Sequence, residues 1–549
     1  MPDLEHTLQG HDLGFLKIVA EAWGIDLTAP DAPTALPALL EAILDRRTVI
    51  EMVDSLPESA QKALAALLES AGKMPWTQFA RRFGDVRVFG AAKRDRERPD
   101  LKPVSPAEIL WYRALIGKVF LDLPPQPQEY AYIPDDLVKF IGLPTFAAKP
   151  QYGRPATPGE TAHTYPVNDR ILDHATTLLA ARRIRIPDAE LKTERWNVPL
   201  PVLEKLLLAA GLLDENGYPI PESSRSFLKL PRSAALTFLA QTWLNSSTFN
   251  DLRLLPGLRF EGEWQNNPLA TRQAVMTLLS HLPEQTWWHL ASFIAAVKEN
   301  QPDFQRTAGD YDAWFIRRAD SDTYLRGFAC WDEIEGALLR FIITGILHWL
   351  GFTDLAAPEV SAPVTAFRFS RWSEALWHGS NPAGISEENQ PIKVFSNGRL
   401  VLSPLTPRWL RYQIARFCFW EEETEQEYHY RLTPKSLQRA QKQGLRPFDL
   451  LKLLQQNAAS LPPMLARALE RWGKFGTQAH LEQVSLLRVT SPDILTELRK
   501  TRAARFLGEA LNPTTVVIKS GAIQTIRDSL AEIGYLTDAQ ITMPENDTC

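Results

Sequence analysis

Residues 428–489 run Y-H-Y-R-L-T-P-K-S-L-Q-R-A-Q-K-Q-G-L-R-P-F-D-L-L-K-L-L from Tyr428, then L-P-P-M-L from Leu461 and W-G-K-F-G from Trp472, and close on S-L-L-R-V at Val489. Thr433 before Pro434 predicts a helix start: the hydroxyl accepts from an otherwise unpaired backbone amide, and proline suits the first turn. Leu437 and Ala440 share the face of that helix expected to pack inward. Lys435, Arg439 and Lys442 fall at i, i+4 and i+7, which predicts one outward cationic stripe. Such a row can bridge successive phosphates, with a contribution that falls steeply with salt. A solvated surface stripe is the competing reading.

Charge counting widens this picture. From Arg431 to Lys519 there are 15 Lys and Arg against 6 Asp and Glu, a net of +9 in a chain of net charge -5. The remainder is therefore acidic, and a basic module on an acidic body is the asymmetry expected where one domain faces phosphates. A second cluster, Arg499, Lys500, Arg502 and Arg505, is spread by its spacing over more than one helix face. A third lies upstream in A-A-K-R-D-R-E-R-P-D-L-K-P, with Lys93, Arg94, Arg96, Arg98 and Lys102. Asp95, Glu97 and Asp100 nearly halve its charge. For all three clusters the reading is DNA contact, weighed against plain solvation.

The 549 residues exceed one hydrophobic core, and three or four domains are expected. Helical periodicity dominates. Leu64, Leu67 and Leu68 recur at helical spacing before Gly72, and W-T-Q-F-A-R-R-F-G follows as a second helix. Ser105, Pro106 and Glu108 spell a capping box for a third. Two short apolar stretches after it, K-V-F-L-D-L and E-Y-A-Y-I-P, complete a winged-helix-like unit. The predicted class is predominantly α with short β-hairpins: tandem winged-helix-like units followed by a small α/β module. The expected divisions are 1–143, a linker at 144–168, units at 169–265 and 266–378, a second linker at 379–391, and the module at 392–540. In that module Asn397-Gly398 marks the clearest hairpin of the chain.

The order of features from Ile392 to Leu536 resembles the N-terminal, helicase-associated domain of XPB-type DNA helicases. It comprises an opening hairpin and helix, Leu432-Thr433 with Ser436-Leu437, then Ala440 and Gly444. The apolar run Leu450 to Leu454, Leu461-Pro462, the glycines around Lys474 and a Val-rich strand follow. The resemblance implies a domain that contacts DNA or partner proteins. In that family two motor lobes follow the domain; here it stands last, so autonomous unwinding is not expected.

Motif chemistry points the same way. Gly-Lys occurs at 72–73, 117–118 and 473–474, followed by Met, Val and Phe, so no phosphate-cradling loop is present. Asp332-Glu333-Ile334-Glu335 lies in a helical pattern and reads as surface or first-turn charge. The histidines show no zinc spacing, His289 and His348 sit in apolar helices as structural groups, and no Gly-x-Ser-x-Gly elbow occurs. Cys330, Cys418 and Cys549 form neither a disulfide framework nor a zinc knuckle. No run approaches the roughly 20 apolar residues needed to span a bilayer, and the acidic start does not resemble a signal peptide.

The expectation is a cytoplasmic, non-catalytic, helicase-associated protein without cofactor or metal. It would bind DNA, duplex or damaged and branched, with a separately encoded helicase or nuclease as a further partner and no membrane partner. The alternatives are a protein–protein adaptor docking such an enzyme, and a nucleic-acid enzyme whose carboxylates follow no familiar motif.

Overall fold

Aspartates start the first helices of the chain. Asp3, Asp12, Asp31 and Asp45 each accept from the amide three residues on, satisfying donors that the helix itself leaves unpaired. α1 (Glu58–Glu69) follows and buries Ala60, Ala63, Leu64 and Leu67. The chain turns at Gly72, whose φ of 78° is a left-handed conformation open to glycine at little cost. Then come β1 (Lys73–Pro75), α2 (Trp76–Phe83), a short helix at Ala91–Glu97, α3 (Pro106–Trp111), β2 (Gly117–Leu121) and β3 (Gln128–Tyr132). The strands pair antiparallel in the order β1-β3-β2. Residues from Leu4 to Leu137 pack one hydrophobic cluster that includes Leu39, Val49, Leu67, Phe79 and Leu110.

This computed structural model describes residues 1–122, 127–141, 152–306, 309–424, 426–479, 484–519 and 521–537. About half of the chain is helical, with several small, mostly antiparallel sheets. Two compact units emerge: Met1–Leu445 with Lys452–Pro462, and Arg446–Leu451 with Pro463–Cys549. The division falls inside the segment 392–540 expected as one module.

Local signals in the sequence are realised with two differences. Ser105 does cap α3, accepting from the Glu108 amide at 3.0 Å. The Glu108 carboxylate, however, does not return to the cap amide; it turns inward and takes the Val104 amide and the Arg87 guanidinium, each at 2.8 Å. The Asp332–Gly336 segment is a π-helical turn, and the wider winding carries Glu335 into the interior instead of leaving it at the surface. There it pairs with buried Arg306 at 2.5 Å.

Residues 144–151 of the first stretch read as a linker lie outside the described residues; its remainder and the second stretch make contacts with other segments. Within 144–168, His163–Tyr165 forms a strand against Thr353–Ala357, and Tyr152 is buried. Within 379–391, Glu388 accepts from Arg232 and Arg408. Among the described residues, the segments 169–265 and 266–378 do not close separate sheets: Leu258–Glu261 of the first pairs with Phe315–Arg318 of the second. The expected hairpin at Asn397-Gly398 is present, with Lys393 opposite Val401 and Gly398 at φ 81°.

The central part of the first unit is organised around α4 (Ile171–Ile184), α5 (Arg408–Phe417), β4 (Phe419–Glu423), β5 (Tyr428–Arg431) and α6 (Pro434–Lys442). β4 and β5 belong to a five-stranded sheet with Arg399–Leu402, Ile392–Val394 and Ala458–Ser460; only the last pairing is parallel. The second unit contains α7 (Pro463–Phe475) and α8 (Pro492–Leu498), together with a sheet in the order Ser485–Arg488, Thr515–Ile518, Leu507–Asn512. Its core is separate and includes Leu487, Leu495, Leu498, Val516, Ile526 and Leu530.

Candidate nucleic-acid interface

α6 begins as its sequence dictates: Thr433 accepts from the Ser436 amide at 3.1 Å, Ser436 reciprocates, and Leu437 and Ala440 are buried. Lys435 and Lys442 are exposed and have no ion pair among the described residues. Arg439 departs from the expected outward stripe. Its Nη2 donates to the Cys418 carbonyl at 2.6 Å, at the junction of α5 and β4, and burial lowers its pKa. The long aliphatic stem lets the guanidinium reach sideways over the neighbouring element. The three-cation row is therefore two lysines with an inward arginine between them.

The other predicted clusters are also divided by the fold. Arg499 and Lys500 are exposed at the end of α8 and are unpaired among the described residues. Arg502 is exposed but bonded to Glu532 at 2.7 Å, and Arg505 lies 4.7 Å from the Phe506 ring. In the upstream cluster, Lys93 is exposed beside Phe89. Arg94 is corrected to an interior role: it is 6% exposed and grips Asp12 and Asp95 at 2.7 Å. A guanidinium held by two carboxylates has no donor face left for phosphate. Arg96 pairs with Glu97, and Arg98 is fixed by Asp100 and Glu21. Lys102 is exposed.

The cationic stripe that the fold does complete is on α7. Leu465 and Leu469 bury one side of the helix. Arg467, Arg471 and Lys474, again at i, i+4 and i+7, occupy the opposite side, all exposed and none ion-paired among the described residues. Met464 and Phe475 flank them, each 67% exposed. The rise of about 1.5 Å per residue spaces these charges over roughly 10 Å along the axis, matching a short run of phosphates on one strand. The signal was present in L-A-R-A-L-E-R-W-G-K-F but was obscured by reading that segment for its leucines and glycines alone.

The head of the stretch 428–489 faces a different surface. Tyr428 and Tyr430, at the head of the stretch 428–489, are buried, and Arg411 lies 3.9 Å from the Tyr428 ring. In front of them is a cleft of about 60 Å³ walled by Glu190, Glu421, Glu422, Glu423, Trp196 and Trp420. Glu421 there is paired with Arg399 and Arg431, and Glu422 lies 4.0 Å from Arg195. Behind the cleft Arg411 donates to the Asp173 carbonyl and to Thr177, and Arg232 ties Asp169, Asp173 and Glu388 together. His348 Nδ1 meets the Thr353 carbonyl and His289 caps the helix Leu290–Asn300; both fill structural places. Among the described residues no group of His, Cys, Asp and Glu is arranged to hold a metal, and no helix is long and apolar enough to cross a membrane.

No model of a known protein family matches the chain. It is 26% identical over 186 residues to phomoidride biosynthesis cluster protein F of Fungal sp. (strain ATCC 74256), a match covering 32% of this chain and 56% of that protein. The chain thus spans little more than half of that relative's length. This match corrects the expectation that the chain is not an enzyme. That expectation rested on missing motifs, whereas the similarity over this span is to a protein of a biosynthesis cluster. Catalytic groups brought together by a fold require no local motif.

Proposed function

We propose that this protein binds DNA through cationic helix faces in its C-terminal third and works beside a separately encoded helicase. The observation that carries the reading is α7: three exposed cations at one helical spacing, unpaired among the described residues and backed by a buried leucine face that fixes their direction. Lys435 and Lys442 on α6, and Arg499 and Lys500 after α8, supply further positive charge that is unpaired among the described residues. The resemblance of residues 392–536 to the helicase-associated domain of XPB-type enzymes supports the choice of DNA over other polyanions. The sheet order β1-β3-β2 beside α1, α2 and α3 supports a winged-helix reading of residues 58–132, with the helix Ala91–Glu97 inserted between α2 and α3. Its reading helix would be α3, but Glu108 there is buried and paired, so DNA contact is assigned to the C-terminal cations.

A salt-titrated binding assay on duplex and branched DNA tests this. Binding is expected to weaken with log salt, and replacing Arg467, Arg471 and Lys474 by Ala should shallow that slope by about 2 to 3. Failure to bind at about 50 mM salt, or an unchanged slope in the triple variant, would reject the proposal.

A further inference from the structure

We propose that a cleft in the first unit, lined by residues 265–274, 303–306 and 310–314, binds a neutral, hydroxyl-rich small molecule, a sugar of one or two rings. The cleft measures about 580 Å³, and side chains from all three segments line it together. That volume lies in the range of small-molecule sites.

Part of the lining is fixed from the interior. The π-helical turn Asp332–Gly336 carries Glu335 inward, and turns of this kind recur at functional sites. Glu335 Oε1 accepts from Gln305 Nε2 at 3.0 Å and from Arg306 Nε at 2.5 Å. Gln305 and Arg306 both line the cleft, and they are 8% and 3% exposed. A carboxylate that takes the NH2 end of Gln305 turns the amide oxygen away from itself. That oxygen is buried without a hydrogen-bond partner among the described residues. Buried polar atoms are nearly always paired, so an open acceptor on a residue that lines a cleft marks a ligand contact.

The rest of the lining selects the chemistry of the ligand. Gln265 and Gln273 are exposed, and their side chains make no hydrogen bond among the described residues. Asn267 Oδ1 accepts from the Ala270 amide at 3.0 Å, which leaves its NH2 as a donor. Carboxamides both donate and accept, as hydroxyl groups do. Among the described residues the ionisable side chains of the lining are Asp303, Arg306 and Asp310. Arg306 is paired with Glu335, and Asp303 with Arg81 at 3.2 Å and with the Tyr311 hydroxyl at 2.6 Å. Asp310 has no ion pair among the described residues; its Oδ1 accepts from the amides of Asp312 and Ala313 at 2.9 and 3.1 Å. An anionic ligand therefore meets no unpaired cation in this lining, and a single exposed carboxylate holds a cation weakly. The Trp314 ring is already stacked, with Trp264 at 4.9 Å and the Arg306 guanidinium at 4.2 Å. What the cleft has left to give is hydrogen bonding from amides, which hydroxyl groups answer in both directions.

Calorimetry and saturation-transfer NMR on the full chain test this with glucose, galactose, N-acetylglucosamine and maltose. At least one should bind with a Kd below about 1 mM. Gln265→Ala/Gln273→Ala, which alters exposed side chains only, should weaken that binding at least about tenfold with the melting temperature unchanged. Gln305→Leu should weaken it as much; if that variant does not fold, the exposed pair decides. No binding by any of the four sugars would overturn the proposal, and so would equal affinity in the parent chain and the exposed-pair variant. Glucose 6-phosphate binding about tenfold more tightly than glucose would make this an anion site. Spermidine or adenosine bound more tightly than every sugar, and released in the same variant, would make it a site for a cation or a base. Each of these results overturns the proposal. The Arg467, Arg471 and Lys474 triple variant should bind sugar like the parent chain, so this reading and the DNA-binding reading fail separately.

Discussion

Arg232 is buried, and its guanidinium meets Asp169, Asp173 and Glu388 at 2.6, 2.8 and 3.3 Å. Removing one member of such a group leaves the others as uncompensated buried charge, which costs about 3 to 5 kcal/mol. Arg232→Gln should lower the urea midpoint of the first unit accordingly; an unchanged midpoint would show that water already reaches the cluster. His174, close by, stacks on Trp196 at 5.0 Å and bonds Asn197 through Nε2 at 3.1 Å. Burial pulls its pKa down to about 4. The folded state therefore holds the imidazole neutral, while the unfolded chain takes up a proton near the ordinary value of about 6.5. The linked stability is fully present above that value and is lost as pH falls toward 4, by about 3 kcal/mol in all. A melting-temperature profile between pH 7 and 4 should fall more gently for His174→Gln than for the parent chain, and parallel curves would remove His174 from the account.

At the level of elements, α6 and α7 carry the same spacing of cations with different outcomes. Arg439→Ala on α6 is expected to lower thermal stability, because the Cys418 carbonyl loses its donor, while changing DNA affinity less than about twofold. Lys435→Ala/Lys442→Ala should do the reverse, weakening binding at unchanged melting temperature. The two effects are separable by differential scanning fluorimetry and by the salt titration. Caps and turns were legible in the sequence because they are local: Thr433 and Ser436 meet within one turn, and Gly398 turns its hairpin in place. The fates of Arg94, Arg439 and Glu335 were not legible. Each is decided by a partner supplied from elsewhere, Asp12, Cys418 and Arg306 respectively, and helical spacing carries no information about those neighbours. The strand at 163–165 is likewise decided by a distant partner. Pro, Gly and Thr in 152–165 suppress helix formation, but they do not prevent a short strand from pairing with Thr353–Ala357.

For the whole molecule, separate cores predict separate melting. The second unit packs around Leu487, Leu498 and Val516, independently of the cluster that spans Leu4 to Leu137. Leu498→Ala, at a fully buried position, should cost about 2 to 5 kcal/mol and move one calorimetric transition while leaving the others in place. A single transition that shifts as a whole would mean that the units unfold together. The pairing of His163–Tyr165 with Thr353–Ala357 bears on how the chain is made. The first strand leaves the ribosome with its partner still roughly 190 residues away, a delay of about 10 to 40 s at ordinary elongation rates. Residues 4–137 can close their own core during that interval, whereas the strand at 163–165 waits with an open edge. Slowed translation upstream of residue 353 should therefore raise the aggregated fraction of the nascent protein, an exposure in time created by a fold whose finished form shows no trace of it.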